Sequence, residues 1–118
     1  MTVDQGGGAL PMLIQRADDR YQWEAPETPV RPSVAARRMW YDSVGHGHVP
    51  ALRCASDSLG ADRLLLGTDV PYEAGDVFVR AVDYIADPRI TESEASAILE
   101  SNATALFGIA SPANAATP

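Results

Sequence analysis

The sequence contains no lysine and only one cysteine. Because Cys54 stands alone, an intramolecular disulfide and a cysteine-based zinc cage are excluded. The nine basic residues, all arginine, face sixteen acidic ones, for a formal net charge of -7. Such a chain repels phosphate backbones, so a nucleic-acid partner is not expected. No apolar run approaches the roughly 20 residues of a membrane span, and no secretion signal is visible at the N-terminus. We therefore expect no membrane partner and a cytoplasmic protein.

The apolar pattern alternates short strands with helices, which predicts an α/β fold. A chain of 118 residues can form one small domain with a core. Thr91 and Glu94 form a capping box, which predicts a helix start. Three prolines favour a long loop over residues 18–32. The predicted strands are Met39–Asp42, Leu64–Leu66 and a stub at Met1–Gln5. The predicted helices are Leu10–Arg16, Pro32–Arg38, Pro50–Leu59, Gly75–Ala86 and one after Thr91, with a last turn at Leu106–Phe107.

The run from Arg63 to Tyr72 is the most informative stretch. Three consecutive leucines are typical of a strand buried on both faces in a parallel sheet. Asp69 would stand at the carboxyl end of this strand, and Pro71 would stop it. Catalytic and metal-binding groups gather at that end of strands in α/β enzymes. Asp69 is therefore a candidate metal ligand or proton acceptor, or alternatively a cap of the turn or of the helix near Gly75.

The number of strands is small for a complete α/β enzyme. A (β/α)₈ barrel needs about 250 residues, and open parallel sheets usually have about four or more strands. The chain therefore looks like the last third of a larger fold.

A set of short motifs carries a family resemblance over residues 5–109. In order they are Gly6-Gly7-Gly8-Ala9-Leu10-Pro11, Arg16, Tyr41-Asp42-Ser43, Leu59-Gly60-Ala61-Asp62-Arg63, Leu66-Gly67-Thr68-Asp69-Val70-Pro71-Tyr72 and Ser101-Asn102-Ala103. This order resembles the C-terminal end of the amidohydrolase-related group that includes aminocarboxymuconate-semialdehyde decarboxylase.

The resemblance implies a fold and an activity. The implied fold is the C-terminal portion of a metal-dependent (β/α)₈ TIM barrel over residues 1–109, with two to three parallel strands, about five helices and a disordered tail over 110–118. The implied activity is hydrolysis or decarboxylation of a small organic acid with one divalent metal, usually zinc.

Three site residues follow from the resemblance. Asp69 matches the family's aspartate ligand, whereas the His-x-His pair and the later histidine would precede Met1. Gln5 replaces the acid-base histidine, and its amide does not titrate near neutral pH. Arg16 matches an arginine that, in the decarboxylase branch, reaches the neighbouring subunit's active site and holds a substrate carboxylate. The alternative for Arg16 is a surface arginine, unpaired or paired with Asp18 or Asp19.

Other residues are assigned structural roles. His46 and His48 imitate the spacing of a ligand pair, but we expect solvated or helix-capping side chains. Trp23 and Trp40 are expected to pack, and Asp42 is expected to bond a neighbouring loop.

Two functional hypotheses result. In the first, the chain is part of a metal-dependent hydrolase or carboxy-lyase that is inactive alone and takes its missing strands from a complementing N-terminal fragment or from an upstream segment. In the second, it is a catalytically silent remnant or interaction module. Unpaired strand edges predict self-association, and hence a possible homo-oligomer, or marginal stability.

Overall fold

A computed structural model describes residues 3–5 and 7–110, and within them three short strands form one parallel sheet. The strands are β1 (Val3–Gln5), β2 (Trp40–Asp42) and β3 (Leu64–Leu65), in the order β1-β2-β3. Gln5 is in register with Asp42, and Asp42 with Leu65. The carboxyl ends of all three strands therefore lie at one edge of the sheet.

Helices connect and follow the strands. The described helices are α1 (Leu10–Glu24), α2 (Pro32–Ala36), α3 (Val49–Leu59), α4 (Gly75–Asp83), α5 (Glu92–Ser96) and α6 (Asn102–Phe107), with 3₁₀ turns at Ala61–Arg63 and Tyr84–Ala86 and a π-helical turn at Ala97–Ser101. The strand-helix alternation predicted from the sequence is confirmed.

The core lies between the helices and one face of the sheet. Tyr41 and Leu64 are register partners on that face, and both are fully buried. Leu52, Ala55 and Leu59 of α3 pack in the same cluster, as their spacing predicts. The Tyr41 phenol donates to the carbonyl of Ala36 at 2.8 Å, so its polar atom is satisfied inside the core. On the opposite face, the Arg63 guanidinium lies 4.9 Å from the centre of the Trp40 ring.

Helix α1 is longer than the sequence pattern predicts. The loop expected over residues 18–32 is wrong for residues 18–24, which are helical. The half-buried positions Leu10, Ile14, Ala17 and Tyr21 recur every three or four residues, so one helix face continues past Arg16. The nearest later proline is Pro26, which stands beyond the helix end.

Three packing expectations are wrong. Leu66 lies outside β3 and is 39% exposed, because the chain leaves the sheet after Leu65. Phe78 is partly exposed on α4, although Ala81 and Ile85 of the same predicted face are buried. Trp23 is 77% exposed at the end of α1, where no described element covers its ring.

The capping box predicted before α5 is confirmed. The Glu94 backbone N–H donates to the Thr91 hydroxyl at 3.2 Å, and the Thr91 N–H donates to the Glu94 carboxylate at 2.9 Å. The helical run from this cap ends at Gly108, which has a positive φ of 65°.

The chain ends lie partly outside this description. Residues 1, 2, 6 and 111–118 lie outside the described residues, and so does most of the disordered tail predicted for 110–118. Within the described part of the chain, no helix has the length and apolar character needed to cross a bilayer.

Candidate functional site

Ser43 joins the carboxyl ends of β2 and β3. Its N–H donates to the Leu65 carbonyl at 2.8 Å, which extends the pairing of the two strands by one residue. Its hydroxyl oxygen accepts the Gly67 N–H at 3.1 Å. Its own carbonyl accepts the phenol of Tyr84, which follows α4. The serine is 2% exposed, so these bonds are shielded from water.

Gly67 allows the two loops at this edge to approach closely. A Cβ atom at position 67 would lie 2.8 Å from Cγ2 of Val44 and 2.9 Å from Cβ of Asp42. Both contacts are shorter than carbon atoms tolerate, so only glycine fits. The Asp42 carboxylate accepts the Val44 N–H at 3.0 Å, a bond within the loop that Asp42 begins.

Tyr84 stays protonated at this edge. Burial raises the pKa of its phenol to about 12, with a smaller contribution from the nearby Asp42 charge, while the hydrogen bond with Ser43 acts in the opposite direction. The phenol therefore remains a donor to the Ser43 carbonyl through the physiological range.

A cavity of about 590 Å³ opens beside the end of β2. Its walls come from the start of α1, the loop after β2 and the first turns of α3. Apolar groups make up most of this lining; representative lining residues are Pro11, Met12, Asp42, Ser43, His48 and Tyr84. A cavity of this size and character fits a small organic molecule.

Asp69 lies four residues beyond the end of β3, in the loop that follows the sheet edge. It is half-buried and has a positive φ of 59°, a left-handed conformation that aspartate tolerates better than most residues. Its carbonyl accepts the Glu73 N–H at 3.0 Å, and the Val70–Pro71 peptide bond is cis. The helix-capping alternative is wrong, because α4 begins after Ala74 without a side-chain cap.

Gln5 and Arg16, the other two predicted site residues, lie in different parts of the fold. Gln5 ends β1 in register with Asp42, which places its backbone at the same sheet edge. Arg16 is exposed on α1, in a shallow groove that Asp19, Arg20 and Trp23 also line. Neither Arg16 nor Asp69 is among the described residues that line the cavity beside the end of β2.

The histidines follow the structural expectation in part. The imidazole of His46 lies 3.7 Å from the carboxylate of Glu73 and connects the loops after β2 and β3. His48 stands at the start of α3 and lines the cavity. Its side chain makes no capping hydrogen bond there, so the helix-capping alternative for this histidine is wrong.

The donor set does not complete a metal site. Over residues 7–110, no three His, Cys, Asp or Glu side chains are arranged to hold a metal ion. Zinc sites in proteins use three or four protein ligands. Asp69 alone would supply one carboxylate, so these residues do not fit a resident metal without further ligands.

Sequence reasoning missed the structural roles of Ser43, Tyr84 and Asn102. The buried Asn102 amide donates to the carbonyls of Ala61 at 2.7 Å and Leu64 at 2.8 Å, which ties α6 to the start of β3. Ser43 and Asn102 stand in motifs that the sequence singled out, but their partners lie far away along the chain.

Comparison with known proteins identifies the family. An amidohydrolase family model matches residues 3–109. The chain belongs to the amidohydrolase family. This result confirms the resemblance stated from the motifs and the fold class predicted with it, because the chain has the fold of part of an amidohydrolase.

Solved amidohydrolase structures are similar to most of the chain. The 5-carboxyvanillate decarboxylase of Sphingomonas paucimobilis is 25% identical, with a TM-score of 0.77 over 92% of this chain and 33% of that one. The dihydroxybenzoic acid decarboxylase of Polaromonas, solved with manganese and 2-nitroresorcinol, is 26% identical, with a TM-score of 0.77 over 98% and 36%. The 2,6-dihydroxybenzoate decarboxylase of Rhizobium is 27% identical, with a TM-score of 0.74 over 90% and 34%. The chain thus spans about a third of the length of these structures.

Proposed function

We propose that residues 1–109 form part of a metal-dependent amidohydrolase that decarboxylates a small aromatic acid, and that the chain is inactive alone. The similarity to 5-carboxyvanillate and dihydroxybenzoate decarboxylases over at least 90% of the chain carries this proposal. It favours decarboxylation over the hydrolysis that other members of the family perform. Inactivity alone is inferred from the incomplete donor set of the described residues.

Asp69 would contribute one carboxylate to a divalent metal whose other ligands come from elsewhere. Its place in the loop after β3 supports this role, because that loop follows the carboxyl edge of a parallel sheet. The Polaromonas relative was solved with manganese, which favours manganese over the zinc that the family resemblance implies.

Gln5 limits the acid-base chemistry of this edge. Its amide can orient a substrate by hydrogen bonding, but it cannot serve as a general acid or base near neutral pH. Arg16 would hold a substrate carboxylate through its guanidinium, whose fork of N–H groups suits two carboxylate oxygens. Since Arg16 is exposed on α1, such a substrate would belong to a neighbouring molecule.

The alternative is a catalytically silent remnant or interaction module of the same fold. The replacement of the acid-base histidine by Gln5 favours this alternative. The two proposals differ in whether the edge built by β1, β2 and β3 still supports catalysis when the rest of the fold is supplied.

A chimera tests this difference. Residues 3–109 replace the structurally matched third of the Polaromonas decarboxylase, and decarboxylation of dihydroxybenzoic acid is followed by CO₂ release with manganese present. The proposal predicts low but measurable turnover, and a rise of about 10²-fold or more in the Gln5→His chimera, the usual contribution of a general acid-base group. The chain alone should show none.

The matched control is Gln22→His, which introduces a histidine at an exposed position of α1. It should leave turnover unchanged. Folded chimeras without turnover, with or without Gln5→His, would favour the silent module. Turnover by the isolated 118-residue chain with stoichiometric metal would contradict the proposed dependence on other segments.

A further inference from the structure

The cavity beside the end of β2, here called the β2 cavity, has walls that suit an aromatic ring. It has a volume of about 590 Å³ and is lined mostly by apolar groups, among them Pro11, Val44 and Ala55. Binding pockets for small organic molecules have this size and this apolar character. A benzene ring with small substituents therefore fits inside it.

The polar part of this lining is negatively charged. Asp42 supplies a carboxylate, and among the described residues that line the β2 cavity no arginine is present. Since the chain contains no lysine, these residues bring no fixed positive charge to the cavity. An organic anion inside it would meet the Asp42 charge without a compensating cation, in surroundings that are mostly apolar.

The polar groups of the β2 cavity suit a ligand that donates hydrogen bonds. A carboxylate has about four acceptor sites, so Asp42 can accept from a ligand while it keeps the Val44 N–H. The phenol of Tyr84 donates its proton to the Ser43 carbonyl, which leaves the Tyr84 oxygen as an acceptor. An apolar ring that carries O–H groups matches both the walls and these acceptors.

We propose that the β2 cavity binds the neutral phenol that remains when an aromatic acid loses CO₂, and that it excludes the acid itself. The choice of ligand rests on the proposed decarboxylation, in which a ring carbon releases CO₂ and takes up one proton. Acid and product then differ in net charge, the property that this lining distinguishes. An ammonium ligand is disfavoured, because the apolar walls would not solvate its charge.

The β2 cavity lies next to the loop that carries Asp69. Asp42 and Val44 line the cavity, and a Cβ atom at Gly67, two residues before Asp69, would touch both of their side chains. Asp69 itself is not among the described residues of the lining. The cavity is therefore a neighbouring site that can receive the product, separate from the carboxylate assigned to the metal.

An NMR titration of the ¹⁵N-labelled full chain with a matched pair of molecules tests the proposal. The pair is resorcinol and 2,6-dihydroxybenzoate, which differ only in the carboxylate, and work at pH 8 keeps histidine side chains uncharged. Resorcinol should shift the amide signals of Val44, Gly45 and Ala55 saturably, with a dissociation constant of roughly 1 to 10 mM for so small a ligand. The acid should bind at least about tenfold more weakly.

Two variants with matched controls connect the binding to the cavity. Ala51→Leu fills space at an exposed position of the lining and should weaken resorcinol binding about fivefold or more. Ala105→Leu, exposed on α6 and outside the lining, should not. Asp42→Asn keeps an oxygen that accepts the Val44 N–H but removes the charge, so the preference for resorcinol should fall to about threefold or less. Asp76→Asn, exposed on α4, should leave that preference unchanged.

Three results would overturn the proposal. The first is the absence of saturable shifts with resorcinol at the cavity residues. The second is equal affinity for the two molecules, or a preference that Asp42→Asn does not reduce. The third is a resorcinol affinity that Ala51→Leu does not weaken. Because the titrations need neither metal nor turnover, they decide the ligand of the β2 cavity, whereas turnover of the chimera decides the proposed function.

Discussion

The phenol of Tyr84 donates a hydrogen bond to the backbone carbonyl of Ser43, which lies 41 residues earlier in the chain. Both residues are buried. This bond holds the loop after β2 against the turn that follows α4. Since Ser43 also binds Leu65 and Gly67, the tyrosine supports the segment that leads from β3 to Asp69.

Removing the Tyr84 hydroxyl should therefore destabilise the fold. Tyr84→Phe leaves a buried carbonyl without its donor, which costs about 1 to 3 kcal/mol in the free energy of unfolding. Urea denaturation followed by circular dichroism measures the change. Tyr72→Phe, at a position that is 88% exposed, is the matched control and should change stability little. Equal stabilities for Tyr84→Phe and the wild type would show that the bond contributes nothing.

A methyl group at position 67 should disturb the sheet edge. In Gly67→Ala the new Cβ would meet Val44 and Asp42 at less than 3 Å, and relieving such overlap costs about 1 to 3 kcal/mol. Gly45→Ala in the neighbouring loop is the control, because its nearest contact would be an ordinary 3.4 Å from the Tyr84 hydroxyl. Thermal unfolding of both variants checks the prediction. A melting temperature for Gly67→Ala equal to that of Gly45→Ala would contradict it.

The ion pair between Arg53 and Glu94 predicts a pH dependence. The Arg53 guanidinium donates to both carboxylate oxygens at 2.7 Å and lowers the pKa of Glu94 to about 2, with help from the Thr91 N–H. In the unfolded chain this pKa is about 4.5. As the pH falls, the unfolded state takes up the proton first. The stabilisation by this pair is therefore present above about pH 4.5 and is lost as the pH falls towards 2.

Glu94→Gln isolates this contribution, because glutamine keeps the capping box but removes the charge. It should lower the free energy of unfolding at pH 7 by about 1 kcal/mol, a small value because both side chains are partly exposed. The difference from the wild type should shrink between pH 4.5 and pH 2. Urea titrations at several pH values measure it. Glu27→Gln, in an exposed loop, should keep the wild-type profile. A constant difference at every pH would contradict this assignment.

Asn102 should be needed to attach α6 to the sheet. Asn102→Ala removes the donor to the carbonyls of Ala61 and Leu64 and should cost about 2 to 3 kcal/mol. Ser101→Ala, at the exposed neighbouring position, should cost much less. Native-state hydrogen exchange of the α6 amides checks whether the loss is local. Unchanged exchange and stability in Asn102→Ala would contradict the proposed attachment.

The sequence allowed the elements to be predicted where local signals agreed. The Thr91–Glu94 capping box and the apolar spacing of α3 depend on residues three or four positions apart, and both are confirmed. The end of α1 was missed because the prolines at 26, 29 and 32 suggested a loop. Helix propensity and the continuing apolar face prevailed until Glu24.

Prediction of the site was limited by contacts across the chain. Tyr84, which donates to Ser43, lies 41 residues later in the chain. The two carbonyls that accept from Asn102 lie 41 and 38 residues earlier. No local sequence pattern reveals bonds over such separations. The exposure of Trp23 depends on which elements surround α1, which composition does not determine. The roles assigned to Gln5, Arg16 and Asp69 stay predictions.

The metal content of the chimera with the Polaromonas decarboxylase tests the central claim most directly, because that claim makes Asp69 a ligand of a divalent metal. Manganese bound per folded chimera is measured after dialysis, for the unmodified chimera, Asp69→Asn and the exposed control Asp83→Asn. We predict about one manganese per chain for the unmodified chimera and for Asp83→Asn, and at least a tenfold loss of affinity in Asp69→Asn. Equal manganese affinity in Asp69→Asn and Asp83→Asn would contradict the account.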